Sequence, residues 1–410
     1  MILYPEVVIE MPTVEGGSTG RRTWLQSRRY PARLTTRASA RRHGPRGTAA
    51  AGVLAALLFA SPVATGAQVP GPARPRESFE VWLDALRKDA LGAGIKPGTV
   101  ERALTTVEYQ PTVLERDRGQ AEFTLTLAQY LKRRLTPAML RAAEARMREH
   151  RRLLARVERA YGVPAGIVLA VWALESNFGR FTGARPTVPV LATLAYDGRR
   201  AALFRSELLD ALRILDRGDI ELERLKGSWA GALGQPQFLP SSYLKYAQDF
   251  DGDGRRDIWA SLPDVFGSIA FYLKTNGWEP KQAWGRRAQV SDAVRAKLAD
   301  SAPLRTTGCR AMRSLTAPLP LEQWTGLGVK TTTGEQLPRA ALDASLLEAD
   351  GHAYLLYPNY EALLAYNCAH TYALSVGILG DRLEGRLTSW PAPPKRTKPT
   401  TSSRKTRASP

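Results

Sequence analysis

Apolar residues recur at helical spacing along most of the chain, and one stretch departs from that pattern by having no polar face. Apolar Phe79, Val81, Trp82, Leu83 and Leu86 give a helical pattern starting near Ser78. Amphipathic helices are predicted again over Gln120–Arg134 and Pro137–Tyr161, the second crowded with arginines that read as a solvated face. From Ile167 to Leu174 every residue is apolar, a run too short for a bilayer, which needs about 20. Pro164 suits a first helical turn, and Asn177 with Gly179 suits a helix end. The pattern predicts a helix buried on all sides with one carboxylate, Glu175, in its last turn.

Burial and the negative end of the helix dipole both disfavour ionisation there. Both raise the pKa, as a general acid working near neutral pH requires. A capping or ion-paired Glu is the structural alternative. The stretch Gly227–Tyr243 shifts the balance. Gly227, Gly231, Gly234, Pro236 and Pro240 preclude a regular helix and predict a tightly folded loop. Ser228, Gln235 and Gln237 alternate there with Trp229, Phe238 and Tyr243, a mixture suited to a saccharide groove or to a structural turn.

Further on, Asp249-Phe-Asp251-Gly-Asp253-Gly-Arg255-Arg-Asp257 places oxygen ligands as a calcium loop does, with glycine at the sixth position. Arg255 would contribute only its backbone carbonyl. Ala260 stands where a bidentate Glu is usual, and Asp264 is the nearest replacement. Repulsion among these carboxylates favours a structural cation over an empty acidic turn. Ser268–Trp278 reads as helix, residues 281–356 as a small β-rich unit, and Ala362–Tyr366 with Ser375–Leu383 as a helical return.

Taken in order, Ala-Leu-Glu175-Ser-Asn-Phe-Gly, Gly227-Ser-Trp-Ala-Gly-Ala-Leu-Gly with Gln237-Phe-Leu-Pro-Ser-Ser, Asp249-Phe-Asp-Gly-Asp-Gly and Tyr366-Asn367 resemble the motifs of B-type lytic murein transglycosylases. The resemblance runs from Ser78 to about Leu387. It implies a mainly α (α+β) fold with a lysozyme-like catalytic core, a helical N-terminal part and an inserted β-rich unit. The implied reaction cleaves the β-1,4 bond between N-acetylmuramic acid and N-acetylglucosamine in peptidoglycan, leaving 1,6-anhydro ends. Glu175 would be the catalytic acid and base, with no cofactor for catalysis and at most a structural calcium ion. Ser228 and Gln237 would orient the acetamido sugar and Glu175. Tyr272, Tyr366, Asn367 and Tyr372 would line the cleft. Arg199 and Arg200, in the loop-into-helix stretch Ala192–Glu207, would grip substrate carboxylates or form structural ion pairs. The sequence departs from the family's pattern at Cys368, where a polar residue is usual.

Two other functions stay open on the residues. A hydrolytic muramidase of the same fold would use Asp197 or another acid as its base. A non-catalytic, calcium-dependent wall-binding protein would not need Glu175.

The net charge of +19 sits largely at the ends. Residues 1–67 and 391–410 carry +6 each, leaving +7 for the middle. No nucleic-acid-binding motif accompanies this charge, so peptidoglycan strands, with cell-wall or membrane partners beside them, are the expected contacts, and a monomer the expected state. Arg41, Arg42 and Arg46, the apolar run Ala49–Pro62 and the small residues up to Ala67 have the order of a secretory signal, with mature protein expected to begin near Gln68. Some 40 residues precede this segment, so a later true start or an unusually long leader is expected. No Cys follows the run, so a periplasmic protein without a lipid anchor is expected. Cys309 and Cys368 are too few for a disulfide scaffold, though an exported chain can pair them. His43, His150, His352 and His370 lack zinc spacing, and no nucleophile elbow is present. The organisation predicted is a leader and spacer (1–75), helical N-terminal part (76–160), catalytic core (161–280), β-rich unit (281–356), return to the core (357–390) and basic tail (391–410).

Overall fold

The computed structural model describes residues 77–119, 125–197 and 200–386; the signal-like segment, the spacer, Arg199 and the basic tail lie outside them. Helices α1 (Phe79–Gly92), α2 (Pro97–Leu104) and α3 (Pro111–Gly119) come first. Then follow α4 (Leu127–Arg134), α5 (Pro137–Glu149), α6 (Arg151–Tyr161) and the apolar α7 (Ala165–Ser176). Strand β1 (Arg185–Pro186) leads into α8 (Thr187–Tyr196) and α9 (Ala201–Asp216). Strand β2 (Lys226–Gly227) pairs antiparallel with β1 and opens the glycine-rich loop, which ends in α10 (Pro240–Tyr246). After α11 (Leu262–Thr275) the inserted unit comprises β3 (Gly285–Gln289), α12 (Asp292–Ser301), β4 (Leu319–Pro320), α13 (Leu321–Leu327), β5 (Lys330–Thr331), β6 (Asp343–Ala349) and β7 (His352–Leu356). Helices α14 (Pro358–Tyr366) and α15 (His370–Leu383) return to the core.

Helix α7 is the centre of one core. Val168, Leu169 and Val171 pack with Phe266 and Ile269 of α11 and Leu374 and Leu379 of α15. A second core joins Leu86 and Leu104 of α1 and α2 to Leu208 and Leu212 of α9. The N-terminal helical part is therefore divided: α1–α3 pack with α8 and α9, whereas α4–α6 pack around α7. Periodicity finds each apolar stripe but not the partner that covers it. The helix predicted over Pro137–Tyr161 breaks at His150, so that Leu140 and Ala143 of α5 and Leu154 and Val157 of α6 enter the same core. Ala192–Glu207, read as loop into helix, is instead the end of α8, a bend and the start of α9.

The inserted unit holds a five-stranded sheet in the order β4-β6-β7-β3-β5, antiparallel throughout. Asp350 and Gly351 turn β6 into β7, both at positive φ (49° and 73°), as a two-residue hairpin requires. Trp324, Leu346, Leu355 and Tyr357 form its own small core. A disulfide between Cys309 and Cys368, Cα atoms 6.3 Å apart, ties this unit to the segment between α14 and α15. Closing a loop of 59 residues stabilises the fold by about 4 kcal/mol on chain-entropy grounds. Among the described residues no single helix is long and apolar enough to cross a membrane.

Candidate active site

Every residue of α7 from Ala165 to Leu174 is buried, and the helix ends where Asn177 takes the left-handed conformation (φ 49°). Phe178 and Gly179 continue at positive φ, turning the chain sharply away just past Glu175. A Cβ on Gly179 would collide with the Gln235 side chain, so the turn and the glycine-rich loop are in direct contact. Gln235 bridges them: its Oε1 accepts from Trp172 Nε1 of α7 (2.7 Å), and its Nε2 donates to the Trp259 carbonyl (2.8 Å). Gly183 meets the loop's other end so closely that a Cβ would overlap the Gly227 backbone. The loop holds its own shape through paired Leu233 and Phe238 amides and carbonyls, 2.7 and 3.1 Å.

Glu175 is partly exposed as a residue, with its carboxyl enclosed by protein. Burial pushes its pKa up from 4.5 to about 7, against smaller downward pulls from a Tyr372 hydrogen bond and the Arg134 charge. Arg134, the last residue of α4, also donates to the Leu174 carbonyl at the end of α7. One cation thus caps the helix that carries Glu175 and acts on its charge. This residue was missed in the sequence. The signal was present, because Arg134 follows buried Leu127, Tyr130 and Leu131 at helical spacing.

Three tyrosines face the same carboxylate. Burial drives both the Tyr272 and Tyr366 pKa values up, helped by Tyr246 and then the Glu175 charge for Tyr272 and by the Glu175 charge for Tyr366, which keeps both hydroxyls protonated. Their hydroxyls donate to the carbonyls of Ala365 (2.7 Å) and Pro236 (2.8 Å), fixing the rings. Tyr272 lies 4.4 Å from Tyr246 and 4.7 Å from Tyr366 between ring centroids, with Phe238 at 5.6 Å, so α10, α11, α14 and the loop build one aromatic wall. Tyr372 stacks on Tyr366 at 6.3 Å. Asn367, 3 % exposed, keeps its side-chain oxygen buried without a partner among the described residues. Such an oxygen is suited to a donor brought by a ligand.

Other predicted site residues are committed to the fold. Ser228 Oγ accepts from the amides of Ala230 (3.2 Å) and Ala232 (3.0 Å), leaving only its hydrogen to offer. Gln237, at φ 55°, donates to the Gly234 (2.8 Å) and Thr182 (3.2 Å) carbonyls, so its amide nitrogen pins the loop to the turn after α7. Arg200 is in an ion pair with buried Asp117 at 2.5 Å and lies over the Phe204 ring. The grip on substrate carboxylates expected of Arg200 gives way to its structural alternative.

The acidic loop divides its carboxylates. Asp249, Asp251 and Asp264 each offer an oxygen within 4.8 Å of the others, although Asp264 comes from the first turn of α11. All three also accept from backbone amides; Asp253, which accepts from the Arg255 amide, and Asp257, which accepts from those of Trp259 and Ala260, stand outside the group. Asp264 is fully buried, and desolvation outweighs its backbone hydrogen bonds in raising its pKa. An all-oxygen group of this kind suits a hard cation.

Comparison with known proteins gives consistent matches. The profile of the family described as "Transglycosylase SLT domain" matches residues 78–381. Over 256 residues the chain is 32% identical to membrane-bound lytic murein transglycosylase B of Escherichia coli (strain K12), spanning 61% of this chain and 65% of that protein. SltB3 from Pseudomonas aeruginosa, solved in complex with NAG-NAM-pentapeptide, is 41% identical with a TM-score of 0.69, covering 77% of this chain and 83% of that one. The same protein has been solved with NAG-anhNAM-pentapeptide. The lytic transglycosylase Slt35 of Escherichia coli, solved in complex with calcium, is 28% identical with a TM-score of 0.62 over 74% of this chain and 93% of that one.

Proposed function

The chain belongs to the family of transglycosylase SLT domains, and from that premise we propose that it is a peptidoglycan lytic transglycosylase. The observation that carries the reading is a single carboxyl group with its pKa raised to about 7 in an aromatic cleft. Among the described residues the groups that shift that carboxyl are Tyr372 and Arg134, and neither is a carboxylate. Hydrolytic glycosidases pair two carboxyls roughly 5–9.5 Å apart. A cyclising reaction needs one, because the nucleophile arrives with the substrate.

Protonated Glu175 donates to the oxygen linking C1 of N-acetylmuramic acid to N-acetylglucosamine, and the C1–O bond breaks. The resulting carboxylate takes the proton of the muramic acid 6-hydroxyl, whose oxygen bonds to C1. Glu175 ends protonated, and no water is consumed. A pKa near neutrality suits a group that must give and then recover a proton. The Arg134 charge favours the intermediate carboxylate. The aromatic wall supplies apolar faces for the sugars, and the unpartnered Asn367 oxygen can accept from an acetamido N–H.

Asp249, Asp251 and Asp264 would hold a structural calcium ion, which would neutralise their mutual repulsion and fasten the loop after α10 to α11. The calcium complex of Slt35 supports this by similarity. We place the protein outside the cytoplasm, in the periplasm; the Cys309–Cys368 bond, suited to an oxidising compartment, supports this. Digestion of purified peptidoglycan followed by mass analysis tests the reaction. Muropeptides lighter by one water than hydrolysis products are expected; hydrated ends alone would replace this reading with a muramidase.

A further inference from the structure

Helix α6 carries an arginine face that the fold does not use. Arg151, Arg152, Arg156 and Arg159 are exposed and line one open recess of about 430 Å³ together with Ala155. They extend over about 12 Å of helix. Among the described residues none of the four is in an ion pair. Arg156 lies over the Phe250 ring at 5.4 Å and remains exposed. The one acid on the helix, Glu158, is turned inward to the Ala165 amide at 3.2 Å.

This arrangement costs the helix stability. Like charges three or four apart, as in Arg152/Arg156 and Arg156/Arg159, destabilise a helix. Arg151 and Arg152 also occupy the first turn, which has no acid, against the helix dipole. A face kept only for solubility normally interleaves both signs.

We propose that the α6 arginine face is a second contact for the polymer, binding carboxylates of peptide stems outside the cleft and retaining the enzyme on the peptidoglycan mesh. The proposal rests on the peptidoglycan reading above. Guanidinium forks pair bidentately with carboxylates, and four in a row match an acid repeated along a flexible polymer. A lipid surface fits less well. Helices that lie on membranes present aromatic or aliphatic residues to the bilayer, whereas Leu154 and Val157 of α6 are buried in the protein core.

The test uses the Glu175→Gln chain, so that the polymer survives, with and without Arg151→Glu/Arg152→Glu/Arg159→Glu. Co-sedimentation with purified sacculi is compared with sacculi whose stem carboxylates have been amidated and with anionic phospholipid vesicles. The triple change is expected to weaken sedimentation with native sacculi about tenfold or more, with added salt doing the same to the unchanged face. Amidated sacculi should bind both chains equally weakly. In the Glu175 background the triple variant should cleave a short soluble muropeptide oligomer at the unaltered rate. Equal sedimentation of the two chains, indifference to amidation, or a stronger loss on vesicles than on sacculi overturns the proposal. Failure of the wild-type chain to cleave any peptidoglycan would instead overturn the functional reading, whatever the sedimentation shows.

Discussion

Glu175→Gln should abolish cleavage and, above neutral pH, make the protein more stable. The fold raises the carboxyl from 4.5 to about 7, so the native state holds a proton that the unfolded chain releases between those values. Stability contributed by the neutral carboxyl is complete below pH 4.5 and lost as pH rises through about 7. The full loss corresponds to about 3 kcal/mol. The partial exposure of Glu175 reduces this to roughly 2–3 kcal/mol. Gln is nearly isosteric, can accept from Tyr372 and is neutral at every pH, so it escapes the penalty. For about 300 ordered residues, each contributing about 2.1 cal/mol/K to the unfolding entropy, the gain is roughly 3–5 °C in Tm. Thermal unfolding of both proteins at about pH 4.5 and about pH 8 checks this, alongside turnover on peptidoglycan. Losing a group that serves as both acid and base costs at least 10²–10⁴-fold in rate. A Tm difference that is the same at both pH values would refute the buried-carboxyl argument, and near-normal turnover would refute the catalytic assignment.

Arg134→Gln should cost about 1 kcal/mol in stability through the lost helix cap and shift the basic limb of the pH–rate profile upward, because a cation that lowers the Glu175 pKa is gone. Arg134→Lys should restore much of that limb, whereas lost activity with an unmoved profile would indicate a purely structural arginine. Calcium at a hundredfold excess over its Kd should stabilise the protein by about 2.7 kcal/mol, seen as a higher Tm that chelator reverses. Asp251→Ala should abolish most of that increment, and a melting curve indifferent to both calcium and chelator would leave the loop an acidic turn. Cys309→Ser with Cys368→Ser should cost about 4 kcal/mol, read by chemical denaturation, with reductant producing the same loss in the native protein.

The sequence by itself specified the helix that matters. An unbroken apolar run from Ile167 to Leu174 can only be buried, and Glu175 at its end then sits where desolvation raises its pKa. Local chemistry also specified the irregular loop, since Gly227, Gly231, Gly234, Pro236 and Pro240 preclude a regular helix. Tertiary structure decided which charges are spent and which are left. Arg200 meets Asp117 across 83 positions, and Arg134 reaches Leu174 across 40. Spacing marks Arg134 as lying on the buried face of its helix, but neither partner has a local signature, because an arginine looks alike in sequence whichever distant group it meets. The acidic loop shows the same division. Spacing placed Asp249 and Asp251 together, and local turns took Asp253 and Asp257 to nearby backbone amides, while only the packing of α11 brought Asp264 to the first two. Periodicity fixes which face of a helix is buried; what that face meets depends on which core the helix joins, as α1–α3 join α8 and α9 while α4–α6 join α7.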